Sequence, residues 1–233
     1  MTIHAIVFDL DNTLYEHAEF VRGAYHLVAA EAARSTPVSA DKFFAKIWPQ
    51  WQQHGSSCTH IFADALREFG DFSPELEARL VQAYRSHRPA SLPLYSGAES
   101  VLDRLRAAGL KLGLLTDGQN EVQRAKLQAL NPKDWFQAIL CTGELGREYY
   151  KPNEAGFRQV IEMLGATFTR TAYIGDNPRT DFVTPKKLGM TTVRVLTGEY
   201  ATLPSPAGVV DHTCDDLRAA SRWLLRHVHP CAS

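Results

Sequence analysis

Hydrophobic residues fall along this chain in two rhythms. Ile3-His4-Ala5-Ile6-Val7-Phe8 is an apolar run broken only by His4, and it stops abruptly at Asp9, with Asp11, Asn12 and Thr13 close behind. Such a run predicts a strand buried on both faces of a parallel sheet. From about Glu16 to Arg88 the rhythm becomes helical, with no strand pattern. Phe20, Ala24 and Leu27 share one face; Phe44, Ile47, Trp48 and Trp51 a second; Phe62, Ala65, Leu66 and Phe69 a third; Leu76, Leu80 and Ala83 a fourth. Four amphipathic helices are predicted. Gly70 ends the third, and Ser73-Pro74 starts the fourth as N-cap and first-turn proline.

From Ser96 onward strands and helices alternate. Ser96 and Glu99 predict a capping box, Val101, Leu102, Leu105 and Ala108 a buried stripe, and Gly109 the end of that helix. Strands are predicted at Lys111 to Thr116, Ala138 to Cys141, Ala172 to Gly175 and Thr192 to Leu196, with a last one at Val209-Val210. Helices follow over Gln119 to Leu130, around Phe157, Val160, Ile161 and Leu164, from Thr184-Pro185, and at Leu217, Leu224 and Val228. The alternation predicts an α/β fold, with right-handed crossovers, a parallel sheet and helices on both faces. The helical stretch is then an insert. We place the sheet domain at residues 1–15 and 90–233 and the insert at 16–89, joined through Leu14-Tyr15-Glu16 and Arg88 to Pro93, a hinge.

Composition narrows the function classes. The 233 residues are 45% hydrophobic, enough for a core, and 25 basic against 26 acidic residues leave a formal charge of -1. No global charge favours nucleic acid or an anionic membrane. No apolar run reaches the roughly 20 residues of a membrane span, and the N-terminal run carries Asp9 in place of a signal pattern, so a cytoplasmic protein is expected. Cys58, Cys141, Cys214 and Cys231 are far apart, without zinc-ligand spacing, and read as reduced structural thiols.

Asp9, Asp11, Thr116 and Asp176 each fall at the carboxyl end of a predicted strand, where open α/β sheets bind ligands. Two neighbouring carboxylates in a low-dielectric crevice repel each other unless a cation or proton relieves them. With a phosphate ester at that rim, Asp9 is the candidate nucleophile, forming an aspartyl-phosphate and splitting hydrolysis into two steps. Mg²⁺, a hard cation held by one or two carboxylates plus phosphate, suits Asp9 and Asp176. Asp11 is the candidate general acid and base, its backbone carbonyl turned to the metal. The Thr116 hydroxyl, the amides of Asp117 and Gly118, and Lys151 can hold phosphoryl oxygens, Lys151 also neutralising Asp9. Asp181 either orients metal-bound water or caps the next turn.

Asp9-Leu10-Asp11-Asn12-Thr13, Thr116, Lys151-Pro152 and Gly175 to Asp181, in that order, resemble the motifs of the haloacid dehalogenase-like hydrolase superfamily over about residues 3 to 195. The resemblance implies a Rossmann-like core, Mg²⁺ dependence, the aspartyl-phosphate intermediate and a mobile cap, here the helical insert between the first and second motifs. Asp11 is similar to the phosphotransferase pattern, because dehalogenases of that superfamily lack a carboxylate there. Phe8 to Tyr15 is most similar to nucleotidase and sugar-phosphate phosphatase branches. The expected activity is Mg²⁺-dependent hydrolysis of a small phosphate monoester, of sugar phosphate or nucleotide type. A phosphomutase-like phosphotransferase, a 2-haloacid dehalogenase and a non-catalytic binding module are the alternatives. Asp117 stands where many relatives have Asn, and the helix after Asp181 starts late.

Within the insert, Trp48 and Trp51 read as core on a helical stripe. His17, just past the first linker, is the single best candidate for a substrate contact from the insert, against an exposed flap histidine as the plainer reading. The loop Gly143 to Tyr150, with two tyrosines and Arg147 beside Lys151, is expected to border either the substrate or a partner surface.

Overall fold

The computed structural model describes residues 2–132 and 134–227. Val228 and Cys231 lie outside them. The chain divides into two compact units, Met1–His17 with Ser91–Ser233, and Ala18–Ala90.

The second unit is all helical. Helix α1 (His17–Ser35) leads into it, followed by α2 (Ala40–His54), α3 (Ile61–Phe69) and α4 (Pro74–Arg85). Ser39 and Ser73 cap α2 and α4 by accepting from the amides of Lys42 and Leu76, and Gly70 takes the left-handed conformation at φ 80° that closes α3. Val21, Tyr25, Val28, Phe43, Ile47, Ile61, Leu66, Leu76 and Leu80 form this unit's own core. Leu27, expected on the buried face, is instead exposed. The buried stripe of α1 runs through Phe20, Val21, Ala24, Tyr25, Val28, Ala29 and Ala32, and Leu27 projects beyond its edge. Phe44 and Trp48 stack at the margin of the core, and Trp51 is buried.

The first unit is a parallel sheet flanked by helices α5 (Ala98–Ala107), α6 (Asn120–Leu130), α7 (Glu154–Leu164), α8 (Val183–Lys187) and α9 (Leu217–Leu225). Its strands are β1 (Ala5–Phe8), β2 (Lys111–Thr116), β3 (Ala138–Cys141), β4 (Thr171–Gly175), β5 (Thr191–Val195) and β6 (His212–Cys214), in the order β3-β2-β1-β4-β5-β6. Every pairing is parallel. This is a Rossmann-like order, which reverses direction at β1. Ala5 and Val7 face a core with Leu115, Leu140, Phe157, Val160, Leu164 and Tyr173. Strand alternation therefore puts Asp9 on the same side of β1 as Ala5 and Val7.

Two sequence expectations fail locally. The last strand is His212–Cys214, not Val209-Val210: as an edge strand it needs only one buried side, and its half-polar sequence carries little apolar signal. The Ser96–Glu99 capping box does not form. Gly97 is the N-cap of α5 in a left-handed conformation, and the Ser96 hydroxyl accepts from Arg218 Nη2 at 2.8 Å.

Candidate active site

The apolar run of β1 ends with Asp9 still tied to the sheet, its amide donating to Ile174 O at 2.8 Å. Asn12 then takes φ 57°, a conformation its short polar side chain tolerates, and the chain turns back so that the Leu14 amide reaches Leu10 O at 3.0 Å. That turn brings Thr13 Oγ1 to 3.4 Å from Asp9 Oδ2. On the other oxygen, Asp9 Oδ1 accepts from Lys151 Nζ at 2.6 Å.

Lys151 is buried, and its ammonium has three hydrogens to place. They meet Asp9 Oδ1, Asp181 Oδ1 at 2.8 Å and the Tyr173 hydroxyl at 3.0 Å. Asp117 fixes the backbone of the same residue, both its oxygens accepting from the Lys151 amide at 3.0 and 3.1 Å while Oδ1 also takes the Thr142 hydroxyl at 2.7 Å. The Asp117 carboxylate is thus spent on protein donors. Gly118, at φ 135°, lies so close to Gly143 that a Cβ there would sit 2.1 Å from Gly118 O, which makes Gly143 the residue that permits this approach.

Asp176 follows β4 and is buried; its Oδ2 has no hydrogen-bond partner among the described residues. One oxygen each of Asp9, Asp176 and Asp181 lies within 4.8 Å of the others. Burial pushes the Asp9 carboxyl up to about 7; Lys151 opposes that rise and Asp181 adds to it. Burial, then Asp181 and Asp9, drive Asp176 well above the usual carboxylate range. Burial would lower Lys151, but Asp181 and Asp9 outweigh it and raise its pKa. Two of the three buried acids, Asp9 and Asp181, share the Lys151 ammonium, and one oxygen of the third, Asp176, is orphaned. That donor set fits a hard divalent cation taking oxygen ligands.

Asp11 goes elsewhere. Lys126 Nζ donates to both its oxygens at 2.9 and 2.7 Å, Gln123 Nε2 to Oδ2 at 3.2 Å, and the Tyr15 hydroxyl to Oδ1 at 2.5 Å. Against burial, which would raise it, Lys126, His17 and Tyr15 together hold the Asp11 carboxyl well below the usual range. Thr116 is joined to this group, its Oγ1 accepting from Gln123 Nε2 at 2.6 Å. His17, expected as a substrate contact or an exposed flap residue, is neither exposed nor part of the helical unit. It is buried with Nε2 at 3.4 Å from Lys126 Nζ, and burial lowers its pKa to about 4.

A sequence profile of the haloacid dehalogenase-like hydrolases matches residues 3–189. The chain belongs to that family. Among curated relatives of this hydrolase, the glyceraldehyde 3-phosphate phosphatase of Methanopyrus kandleri is 31% identical over 202 residues, 85% of this chain and 86% of that one. The phosphoserine phosphatase of Thermus thermophilus is 35% identical over 138 residues, 59% of this chain and 54% of its own. Among solved structures, YfnB from Bacillus subtilis bound to magnesium superposes with a TM-score of 0.71 at 18% identity, covering 96% of this chain and 99% of that one. The L-2-haloacid dehalogenase RSc1362 gives 0.62 at 21%, covering 97% and 100%. These two share the fold.

The motif residues of this hydrolase fall into two groups. Asp9, Lys151, Asp176 and Asp181 form one; Asp11 and Thr116 form the other, linked through Gln123. Asp117 supports the first group through the Lys151 backbone. Gln123, Lys126, Thr142 and Tyr173 escape sequence reasoning. The signal that could have found two of them is on α6, whose buried side carries Gln123 and Lys126 among Val122, Ala125 and Leu130.

Proposed function

We propose that this haloacid dehalogenase-like phosphatase, a phosphoric monoester hydrolase by its curated relatives, is Mg²⁺-dependent and cleaves a small phosphate monoester through an aspartyl-phosphate on Asp9. The reading is carried by the meeting of Asp9, Asp176, Asp181 and Lys151 at the carboxyl end of β1, where the sheet order reverses. The relatives named for glyceraldehyde 3-phosphate and phosphoserine favour a short phosphorylated metabolite as the substrate. The helical unit is assigned the part of the cap.

Asp9, Asp176 and Asp181, with the Asp11 carbonyl, would hold the ion, which when bound supplies positive charge against the phosphate and the buried acids. An Asp9 oxygen attacks phosphorus in line with the ester oxygen, the phosphorus–ester bond breaks, and the phosphoryl group rests on Asp9 as an acyl phosphate. The leaving alkoxide is a far stronger base than a carboxylate and takes its proton from Asp11, which enters this step as the neutral acid, having taken up a proton in exchange for one of its four donor contacts. Water then attacks phosphorus, gives its proton to Asp11, and releases inorganic phosphate with Asp9 regenerated. Lys151, the Thr116 hydroxyl and the Asp117 and Gly118 amides are assigned to the phosphoryl oxygens.

A panel of phosphate monoesters with Mg²⁺, read as inorganic phosphate released, tests this. Activity is expected on at least one short-chain ester, falling at least roughly 10³-fold in Asp9→Asn because the covalent route is lost. Near wild-type turnover by Asp9→Asn rules out the mechanism. Transfer of phosphate to a second position of the substrate without release would identify a phosphotransferase.

A further inference from the structure

Helix α6 carries two polar side chains on its buried side, one turn apart: Gln123 is 1% exposed and Lys126 3%. A lysine buried on the apolar side of an amphipathic helix is costly unless its charge is paired and its hydrogens placed. Lys126 meets that condition by gripping Asp11 at both oxygens, at 2.7 and 2.9 Å. With Gln123 on Oδ2 and Tyr15 on Oδ1, each oxygen of this carboxylate has two protein donors, and rotation about its Cβ–Cγ bond is blocked.

The geometry of Gln123 has a second effect. Its side-chain amide has two hydrogens, one for Asp11 Oδ2 at 3.2 Å and one for Thr116 Oγ1 at 2.6 Å. The Thr116 hydroxyl is thereby used as an acceptor. A hydroxyl that accepts on one side keeps its single hydrogen to donate elsewhere, which suits a residue that must face an anionic oxygen. Two α6 side chains therefore control two groups at two different strand ends.

We infer that Lys126 and Gln123 are positioning residues of the phosphatase site. Lys126 acts through Asp11, fixing the orientation of the carboxyl group that serves the leaving group and the water. Gln123 acts through Thr116, aiming its hydroxyl at the phosphoryl group. The inference rests on the function proposed above and extends it to residues outside the family motifs quoted in the sequence. Neither side chain is assigned a contact with the substrate; both act through Asp11 and Thr116.

The test is a kinetic double-mutant cycle on the full-length protein with Mg²⁺ and the best ester of the panel, with thermal unfolding of every variant. Lys126→Met is expected to lower kcat about 10- to 100-fold with KM changed less than about threefold, and Lys126→Arg to recover part of the loss. In the Asp11→Asn background the same replacement should cost less than about twofold, because the group it positions is gone. Gln123→Leu should chiefly raise KM, by about five- to tenfold, and weaken inhibition by inorganic phosphate to the same extent. An unchanged kcat in Lys126→Met, or an equal loss with and without Asp11, overturns the role of Lys126. An unchanged KM and phosphate inhibition in Gln123→Leu overturns that of Gln123. Should Lys126→Met fail to fold, Lys126→Arg in the two backgrounds makes the same comparison, and equal losses again overturn the inference. Asp11→Asn/Lys126→Met, which removes both charges together, leaves no unpaired buried ion. A wild type that releases no phosphate from any ester counts against the proposed function, whereas an active wild type with indifferent Lys126 variants counts against this inference alone.

Discussion

At the scale of single residues, Lys151 governs the site because its hydrogens are all spoken for. Asp9, Asp181 and the Tyr173 phenol take one each, so the part proposed for Lys151, holding a phosphoryl oxygen, requires exchange or sharing of one of them. The Tyr173 oxygen is the neutral member of the three and the cheapest to exchange. Burial, with Asp181 next to it, raises the pKa of that phenol well above its ordinary value, and it stays a neutral hydroxyl. Tyr173→Phe keeps the ring against Phe157, centroids 5.2 Å apart, and removes only the oxygen. We predict a folded protein whose kcat/KM falls by about fivefold, equivalent to the roughly 1 kcal/mol of one buried hydrogen bond. A loss of a thousandfold would give the phenol a part in the chemistry itself, and no loss would show that Lys151 does not depend on it. Gly175 belongs to the same economy of space: a Cβ there would lie 2.3 Å from Asp181 Oδ2.

At the scale of elements, the site is a set of strand ends braced by the loops that follow. After β5, Thr197 Oγ1 donates to Asn12 O, and a Cβ on Gly198 would stand 2.2 Å from Asn12 Cγ. Asn12 Oδ1 in turn accepts from the His17 amide at 3.1 Å. The turn at Asn12 that follows Asp9 and Asp11 is therefore seated on the β5 loop. Gly198 is at φ 66°, so Gly198→Ala meets both a strained backbone and a filled space. We expect a cost of about 2 to 4 kcal/mol, or about 4 to 16 °C in Tm, with turnover reduced. Gly208 is at φ 74° with nothing within 4 Å of a Cβ, and Gly208→Ala should cost only about 1 kcal/mol. Equal effects at the two glycines would show that the Asn12 contact is irrelevant.

The same scale explains what could be read in advance. The bounds of β2 and β3 are legible to the residue because each is an apolar run in a polar setting, and Asp9, Thr116 and Asp176 stand out as the polar residues on which such runs end. Gln123, Lys126 and Tyr173 carry no such signal. They lie inside elements, and their partners are residues up to 115 positions away. Nor could Asp181 be placed from its neighbours, since its Oδ1 contact with Lys151 spans 30 positions. The edge strand β6 is missed for a different reason, having one exposed side and little apolar content.

At the scale of the whole molecule, each unit closes its own core, and no helix among the described residues is long and apolar enough to cross a membrane. The formal charge of -1 conceals a local imbalance, three buried acids of which Asp9 and Asp181 share the Lys151 ammonium. That imbalance makes stability depend on pH. Asp9 has an ordinary value of 3.8 and a folded value of about 7. A raised carboxylate contributes stability that is full below 3.8 and is lost as pH rises through about 7. Asp176 is raised in the same sense. Asp11 is lowered, so its contribution is present above 3.8 and lost only on acidification below that value, outside the window concerned. Metal-free protein should therefore show a falling Tm between pH 5.5 and 8. Mg²⁺ takes the place of the protons these acids would otherwise keep, so the rise in Tm it produces should be larger at pH 8 than at pH 5.5. Asp9→Asn removes one titrating member and should flatten the metal-free profile. Thermal unfolding at the two pH values, with EDTA and with Mg²⁺, decides the matter: a Mg²⁺ effect of the same size at both would mean that the ion does not bind at these three carboxylates.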